Sequence, residues 1–325
     1  MKRIFLTGVS GFIGAALACV THEKGFIIRG GVRSKSDSIP SFVEQIAVGN
    51  IIPSTNWQMG LDGSDIVIHL AARVHIMQDT AKNPLSEFRR INTEATLNLA
   101  RQAVASNVKR FIYLSSIKVN GELTSHGVPF TPDDDCVPTD PYGLSKYEAE
   151  QGLLALAQQT GMEVVIIRPP LVYGPGVKAN FASMMKWMDK PVLLPFSAIY
   201  NQRSLVALDN LVSFISLCAD REKSPLAVNQ VFLISDGEDV STTQLLRKVR
   251  QALHLQSPSG TKARLVPVPV SIMTFFAKLL GKGDMVNRLF GSLQVDSSKA
   301  SELLGWEPVI TMDEQLAKIT KDIQR

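Results

Sequence analysis

The sequence predicts an α/β fold, a doubly wound parallel sheet followed by a smaller carboxyl-terminal lobe, and three observations carry that prediction. Apolar runs of strand length alternate with helical periodicity through the first half of the chain. A glycine-rich turn falls directly after the first run, and beyond about Gly174 the strand-like runs thin out into helices joined by Pro- and Gly-rich connections. Such alternation implies right-handed crossovers, which cover a parallel sheet with helices on both faces. The 325 residues suffice for one large domain or two unequal lobes. We expect a first domain over residues 1–173 and a lobe over 174–325, some segments of which return to the sheet.

The elements follow in order. Strand-like runs are "RIFLT" (3–7), "FIIRGGV" (26–32), "DIVIHL" (65–70), "RFIYLSS" (110–116) and "EVVIIRP" (163–169). Between the third and fourth, a helix opens at Asn83, with Pro84 in its first turn and Phe88, Ile91, Ala95, Leu99 and Val104 at helical spacing. The apolar stretch "VPVPVSIMTFFAKLLGK" (266–282) is interrupted by prolines and lysine and falls short of the ~20 apolar residues that span a bilayer. A packed helix is expected there rather than one lying on a membrane surface. No internal repeat or low-complexity segment is visible.

Charge and cysteine content exclude other classes. The formal charge is +4, with no run of five basic residues, which argues against nucleic-acid binding. Cys19, Cys136 and Cys218 are odd in number and in no metal-ligand spacing, so neither a disulfide framework nor a metal site is expected. The amino terminus "MKRIFLTGVSGFIG" shows no signal-peptide cleavage pattern. A reducing cytoplasm is the expected compartment.

In "FLTGVSGFIGAAL", Gly8, Gly11 and Gly14 lie between the first strand and the first helix. Gly8 permits a tight turn, Gly11 lets the backbone approach a pyrophosphate, and Gly14 allows close packing of the helix, whose positive end then faces the phosphates. The second strand runs into "IIRGGVRSKSD", with Arg29, Arg33, Ser34 and Lys35 where a site for NAD would place an acid. Arg33 and Lys35 suit a 2′-phosphate, so NADPH is the predicted cofactor and NAD the alternative.

The motifs "TGVSGFIG" (7–14), "HLAA" (69–72), Asn92 in "RINTEAT", "YLSSIKVNGE" (113–122), "YGLSK" (142–146), "RPPLVYGPG" (168–176) and "LLGWEP" (303–308) span nearly the whole chain. Together they resemble the extended short-chain dehydrogenase/reductase family, in its nucleotide-sugar branch. The resemblance implies a Rossmann domain, with a cofactor site drawn from Gly8, Ser10, Gly11, Phe12, Ile13, Gly14, Arg33, Lys35, Asn50, Ile51, Leu70, Ala71, Ala72, Asn92, Tyr142, Lys146 and Pro169.

Tyr142 and Lys146, four apart, share a helix face. A phenol near pKa 10 is a poor catalyst at neutral pH, but an adjacent ammonium and an oxidised nicotinamide both stabilise the phenolate. Tyr142 then acts as general acid or base, and Lys146 tunes it and, as the resemblance implies, bonds the nicotinamide ribose. Aligned on the family pattern, Ser116 takes the position of the catalytic hydroxyl. The sugar-nucleotide 4,6-dehydratases follow that hydroxyl with an Asp-Glu pair; Ile117 and Lys118 stand here instead, which excludes dehydration. Asn120 replaces the usual tyrosine and Leu171 an asparagine.

The resemblance assigns Ser116, Lys118, Asn180, Phe181, Arg203 and Arg288 to the substrate, with Arg203 on its diphosphate. It implies a UDP-sugar substrate and a homodimer through the helices at 83–106 and 140–160. The expected activity is NADPH-dependent reduction of a UDP-4-keto-6-deoxy-N-acetylhexosamine for surface polysaccharide synthesis. A UDP-hexose 4-epimerase with tightly held NAD is the alternative, and a dinucleotide-sensing protein without chemistry is a third, opposed by the joint presence of Ser116, Tyr142 and Lys146.

Overall fold

The computed structural model describes residues 2–74, 83–125, 127–134, 136–256, 263–279, 286 and 289–323. Strands β1 (Arg3–Thr7), β2 (Ile27–Val32), β3 (Val43–Ala47), β4 (Ile66–His69), β5 (Arg110–Leu114), β6 (Glu163–Arg168) and β10 (Gln230–Leu233) form a seven-stranded sheet in the order β10-β6-β5-β4-β1-β2-β3. Every pairing in it is parallel. The order reverses between β1 and β4, the switch point at which ligands bind across the carboxyl ends of such strands.

Alternate residues of the central strands enter opposite cores, which is why their sequences are apolar throughout. Ile4 and Leu6 join the layer built on α1 (Phe12–Glu23) and α7 (Leu208–Ala219). Phe5, Val67, Phe111 and Tyr113 join the opposite layer, under α4 (Ala95–Ala105) and α5 (Pro141–Thr160). Gln230–Leu233, far along the chain, returns to the sheet beside β6. The rest of the carboxyl-terminal half builds a third core, in which α6 (Ala179–Met188), α8 (Thr242–Gln256) and the helix Met312–Ile323 surround two small parallel pairs, β7 (Leu171–Tyr173) with β9 (Leu205–Ala207) and β8 (Leu193–Leu194) with β11 (Arg264–Leu265).

Three features depart from the sequence expectations. β3 was not anticipated: it is an edge strand of which only Val43 and Ile46 are buried, so it lacks the continuous apolar run of its neighbours. The single helix expected from Asn83 is instead α3 (Pro84–Phe88), a π turn over Arg89–Glu94 and then α4. Asn83 caps it as expected, its side chain accepting from the Ser86 amide. Within 266–282, α9 (Val270–Leu279) is a helix, but one on which Ile272, Phe275 and Leu279 are exposed. Among the described residues no helix is long and apolar enough to cross a membrane.

A buried ion pair ties α5 to β6. Glu150 accepts from Nε and Nη2 of Arg168, whose Nη1 donates to Asn120 Oδ1 at 3.0 Å, and Asn120 in turn donates to the Thr131 carbonyl at 2.7 Å. Asn120, where the family has tyrosine, thus anchors Arg168 and the 131–134 loop. Glu150→Leu would leave a buried guanidinium uncompensated, and we expect it to lower the unfolding free energy by about 3–5 kcal/mol in chemical denaturation.

Candidate active site

The glycine turn is built by close backbone approach. Gly8 has φ +75°, and a Cβ there would lie 3.0 Å from the Ala71 amide nitrogen; a Cβ on Gly14 would lie 2.1 Å from the Gly8 carbonyl oxygen. Gly14 therefore lets α1 close onto the turn itself, not only onto the strand. Gly11 donates to the Gly8 carbonyl at 2.9 Å and caps α1 without a side chain. No acid stands in that helix's first turn, so the leading amides, with Phe12 and Ile13, have no carboxylate to accept from them. Ser10 is exposed on the same turn. The loop Leu70–Ala71–Ala72 packs against it, the Ala71 amide donating to Thr7 Oγ1 at 3.3 Å. These features fit a dinucleotide pyrophosphate: the cradle has room for backbone only, and its donors are unclaimed by side chains.

Helix α5 begins at Pro141, and Asp140 caps it by accepting from the Tyr142 and Gly143 amides. A Cβ on Gly143 would meet the Lys118 carbonyl oxygen at 2.6 Å, so the glycine in "YGLSK" lets the helix close on the turn that carries Ser116. Lys146 is only 2% exposed, donates from Nζ to the Leu114 carbonyl at 2.9 Å, and lies 4.5 Å from the centroid of the Tyr113 ring. Ser116 follows the end of β5; its Oγ accepts from the Lys118 amide and lies beside the Tyr142 phenol. The ring of Tyr142 rests edge-on against Phe88.

Protonation differs from the simple expectation. Burial pushes the Tyr142 phenol up to about 12, Ser116 pulling against that rise and Asp140 adding to it. Burial also brings the Lys146 ammonium down to about 7, with Glu150 opposing. Lys146 does not by itself make Tyr142 acidic, because it is aimed at the β5 carbonyl. A bound oxidised nicotinamide would supply a positive charge that lowers the phenol's pKa.

The other expected cofactor residues divide. Pro169, buried after β6, accepts from the Ile117 amide and so holds the Ser116 turn. Asn50 and Ile51 stand in the loop after β3, at the same edge of the sheet. Arg33 and Lys35 are exposed after β2 and form no ion pair among the described residues. Arg29, by contrast, pairs with Glu44 at 2.8 Å. Asn92 is turned inward by the π turn, and both its amide hydrogens are taken, by the Arg73 carbonyl and Ser145 Oγ, each at 3.0 Å. It positions the loop and the helix rather than offering donors to a ligand.

Of the substrate residues, Phe181 stacks its ring on Tyr173 in the lobe core and is 3% exposed. Lys118 is paired with Glu122 at 2.5 Å and lies 3.8 Å from Asp140. Asn180 falls in the first turn of α6, and Arg288 lies outside the described residues. Arg203 is half-buried, donates to the Gly291 carbonyl at 2.9 Å, and has no carboxylate partner among the described residues; burial lowers its pKa.

His69 was legible only as part of "HLAA". It is buried between Thr7 Oγ1, 2.7 Å from Nδ1, and Thr96 Oγ1, 3.0 Å from Nε2.

A parallel sheet of this order, with a glycine turn after β1 and a Ser, Tyr and Lys gathered at adjoining strand ends, defines a dinucleotide-dependent enzyme of the extended short-chain dehydrogenase/reductase class. The model of the NAD dependent epimerase/dehydratase family matches residues 4–230, and the chain belongs to that family. It is 48% identical over 318 residues to the UDP-glucose 4-epimerase of Vibrio cholerae, covering 96% of this chain and 93% of that one. It superposes with TM-score 0.77 at 22% identity on the UDP-glucose 4-epimerase of Thermotoga maritima with UDP-glucose, over 99% of each chain. The UDP-glucuronic acid 4-epimerase of Bacillus cereus in complex with NAD gives 0.76 at 20%, again over 99% of each. At those identities the structural likeness is one of fold.

Burial takes the His69 pKa down to about 3, with Lys146 lowering it further. Because the unfolded chain, at about 6.5, binds the proton more readily, this stabilisation is complete above pH ~6.5 and is lost as pH falls toward 3. Lys146 acts in the same sense between its folded value of about 7 and its ordinary 10.5, stability rising with pH. We expect unfolding midpoints to fall from pH ~6.5 to 4, with His69 contributing on the order of 5 kcal/mol over its full window. His69→Gln should flatten that slope.

Proposed function

We propose that the protein is a 4-epimerase of a UDP-linked hexose, UDP-glucose or UDP-N-acetylglucosamine, working with a retained NAD. What supports this best is the gathering of Ser116, Tyr142 and Lys146 beside a glycine turn whose helix has no side-chain cap, with Arg203 free of any carboxylate partner among the described residues. The 48% identity to a UDP-glucose 4-epimerase supports it further. When bound, the nicotinamide supplies a reversible acceptor of hydride. Tyr142 takes the proton of the C4 hydroxyl when that carbon is oxidised and returns it when the carbon is reduced on its other face, so no net redox change results. Ser116 steadies the reacting oxygen by donating a hydrogen bond. Arg203 grips the diphosphate, which leaves the 4-keto sugar free to turn about its link to the nucleotide. In this reading residues 1–173 hold the dinucleotide and 174–325 mainly hold the sugar nucleotide, in a cytoplasmic homodimer.

Two observations favour a second reading, NADPH-dependent reduction of a UDP-4-keto-6-deoxy-N-acetylhexosamine. No acid stands at the end of β2, where Arg33 and Lys35 are exposed and without ion-pair partners among the described residues. The Tyr142 phenol, near 12, is already in the protonated form that a reductase uses first.

Tyr142→Phe should leave dinucleotide affinity nearly unchanged and lower kcat by ~10² or more, the contribution of one positioned acid or base. Near-wild-type turnover would remove its proposed role. The two readings separate on cofactor. An epimerase should purify with its dinucleotide and interconvert UDP-hexoses with none added, whereas a reductase should consume NADPH with a 4-keto sugar and show no such interconversion. Under the second reading, replacing both Arg33 and Lys35 by alanine should weaken NADPH binding by ~1.5–3 kcal/mol per charged hydrogen bond and leave NADH binding unchanged. Equal loss for both dinucleotides would remove the 2′-phosphate role.

A further inference from the structure

Thr7, His69 and Tyr113 stand side by side across β1, β4 and β5, each the registered neighbour of the next. Registered residues of a parallel sheet point to one face, so the three side chains form a row near its carboxyl edge, beneath α4 and α5. His69 is the centre of the row. Thr7 Oγ1, which accepts the Ala71 amide hydrogen, lies 2.7 Å from His69 Nδ1, and Thr96 Oγ1 on α4 lies 3.0 Å from Nε2; with Thr7 donating to Nδ1, the imidazole would carry its hydrogen on Nε2 and donate it to Thr96. The ring lies nearly parallel to that of Tyr113, at 14° with centroids 6.0 Å apart. The same Tyr113 ring supports the Lys146 ammonium, 4.5 Å from its centroid. One buried imidazole therefore touches both the strand end that carries the glycine turn and the ring on which the lysine rests.

We propose that His69 is a positioning residue for Lys146: fixed as one neutral tautomer by Thr7 and Thr96, it holds the Tyr113 face against which the ammonium sits and ties that face to the dinucleotide turn. The claim rests on Lys146 serving the chemistry proposed above. The titratable groups around the ammonium are His69 on β4, Tyr113 on β5, and Tyr142 and Glu150 on its own helix, with Arg168 of β6 pairing Glu150. A neutral imidazole keeps the ammonium's attraction to Tyr113 and Leu114 unopposed. A charged one would repel it.

The first test is independent of activity. Long-range nitrogen–proton correlation spectra of protein labelled with ¹⁵N-histidine, with the His69 signal assigned by its loss in His69→Phe or His69→Gln, should show a neutral Nε2–H tautomer that does not titrate between about pH 5 and 8. An Nδ1–H tautomer, or titration in that range, would overturn the proposal. The second test is a double-mutant cycle. His69→Phe keeps a ring but no hydrogen bond, and Thr96→Val removes one acceptor more gently should the first variant fold poorly. Each should lower kcat, His69→Phe by about tenfold, with the KM for the sugar nucleotide little changed and no further loss in a Lys146→Met background, as for residues acting through one another. Losses that multiply with that of Lys146→Met, or an unchanged kcat, would refute it. If the wild-type protein turns over no sugar nucleotide, the functional reading fails, while the spectra still decide the placement of the imidazole.

Discussion

A lysine ammonium with almost no exposure to water, held by the carbonyl at the end of β5 and the face of Tyr113, constrains the site more than any other contact. An ammonium in that position has lost most of its hydration, and its pKa falls accordingly. Keeping it there requires α5 to sit at a fixed height over the sheet. The Asp140 cap, the missing Cβ of Gly143 and the Asn92 bridge between Arg73 and Ser145 all act on that height. Glu150, one turn along from Lys146, is locked to Arg168 on the next strand. Tyr142 is carried by the same helix, so its place beside Ser116 follows from the seating of the lysine.

The sheet was legible wherever a strand is buried on both faces. β1, β4, β5 and β6 read as continuous apolar runs because alternate residues enter two different cores. β3 was not legible: an edge strand with one neighbour needs only Val43 and Ile46 inside, and Glu44 and Gln45 break the pattern. The π turn escaped for another reason. Its residues keep helical spacing, and only tertiary contact shows that Asn92 is rotated inward to bond Arg73 and Ser145.

At the site, residues whose placement follows from local spacing were readable, and those whose placement depends on burial were not. Gly8, Gly11, Gly14, Tyr142 and Lys146 belong to short motifs whose spacing carries the geometry. Phe181 sits in a motif of the same kind, yet its ring fills the lobe core against Tyr173. A sequence cannot distinguish an aromatic that meets a ligand from one that meets another aromatic. Asn120 illustrates the converse. It replaces the family's tyrosine, and only the structure shows that it holds Arg168 and a neighbouring loop.

The two catalytic readings differ in where positive charge is needed. In the epimerase reading, oxidation at C4 would require Tyr142 to lose its proton first, and a phenol near 12 does so at neutral pH only if a cation stands close by. Lys146 is a weak candidate on its own, since at about 7 it is charged only part of the time at neutral pH and is aimed at Leu114. An oxidised nicotinamide carries a permanent positive charge, so a retained NAD would supply both the oxidant and the electrostatic term the protein lacks. Reduction makes no such demand, because the protonated phenol is the reagent and the reduced cofactor's nicotinamide ring carries no charge. The exposed pair Arg33 and Lys35, without an acid at the end of β2, belongs to the same question at the other end of the dinucleotide. Under either reading, the charge on a bound cofactor would therefore decide, through the pKa of Tyr142, which half of a shared chemistry the site could begin.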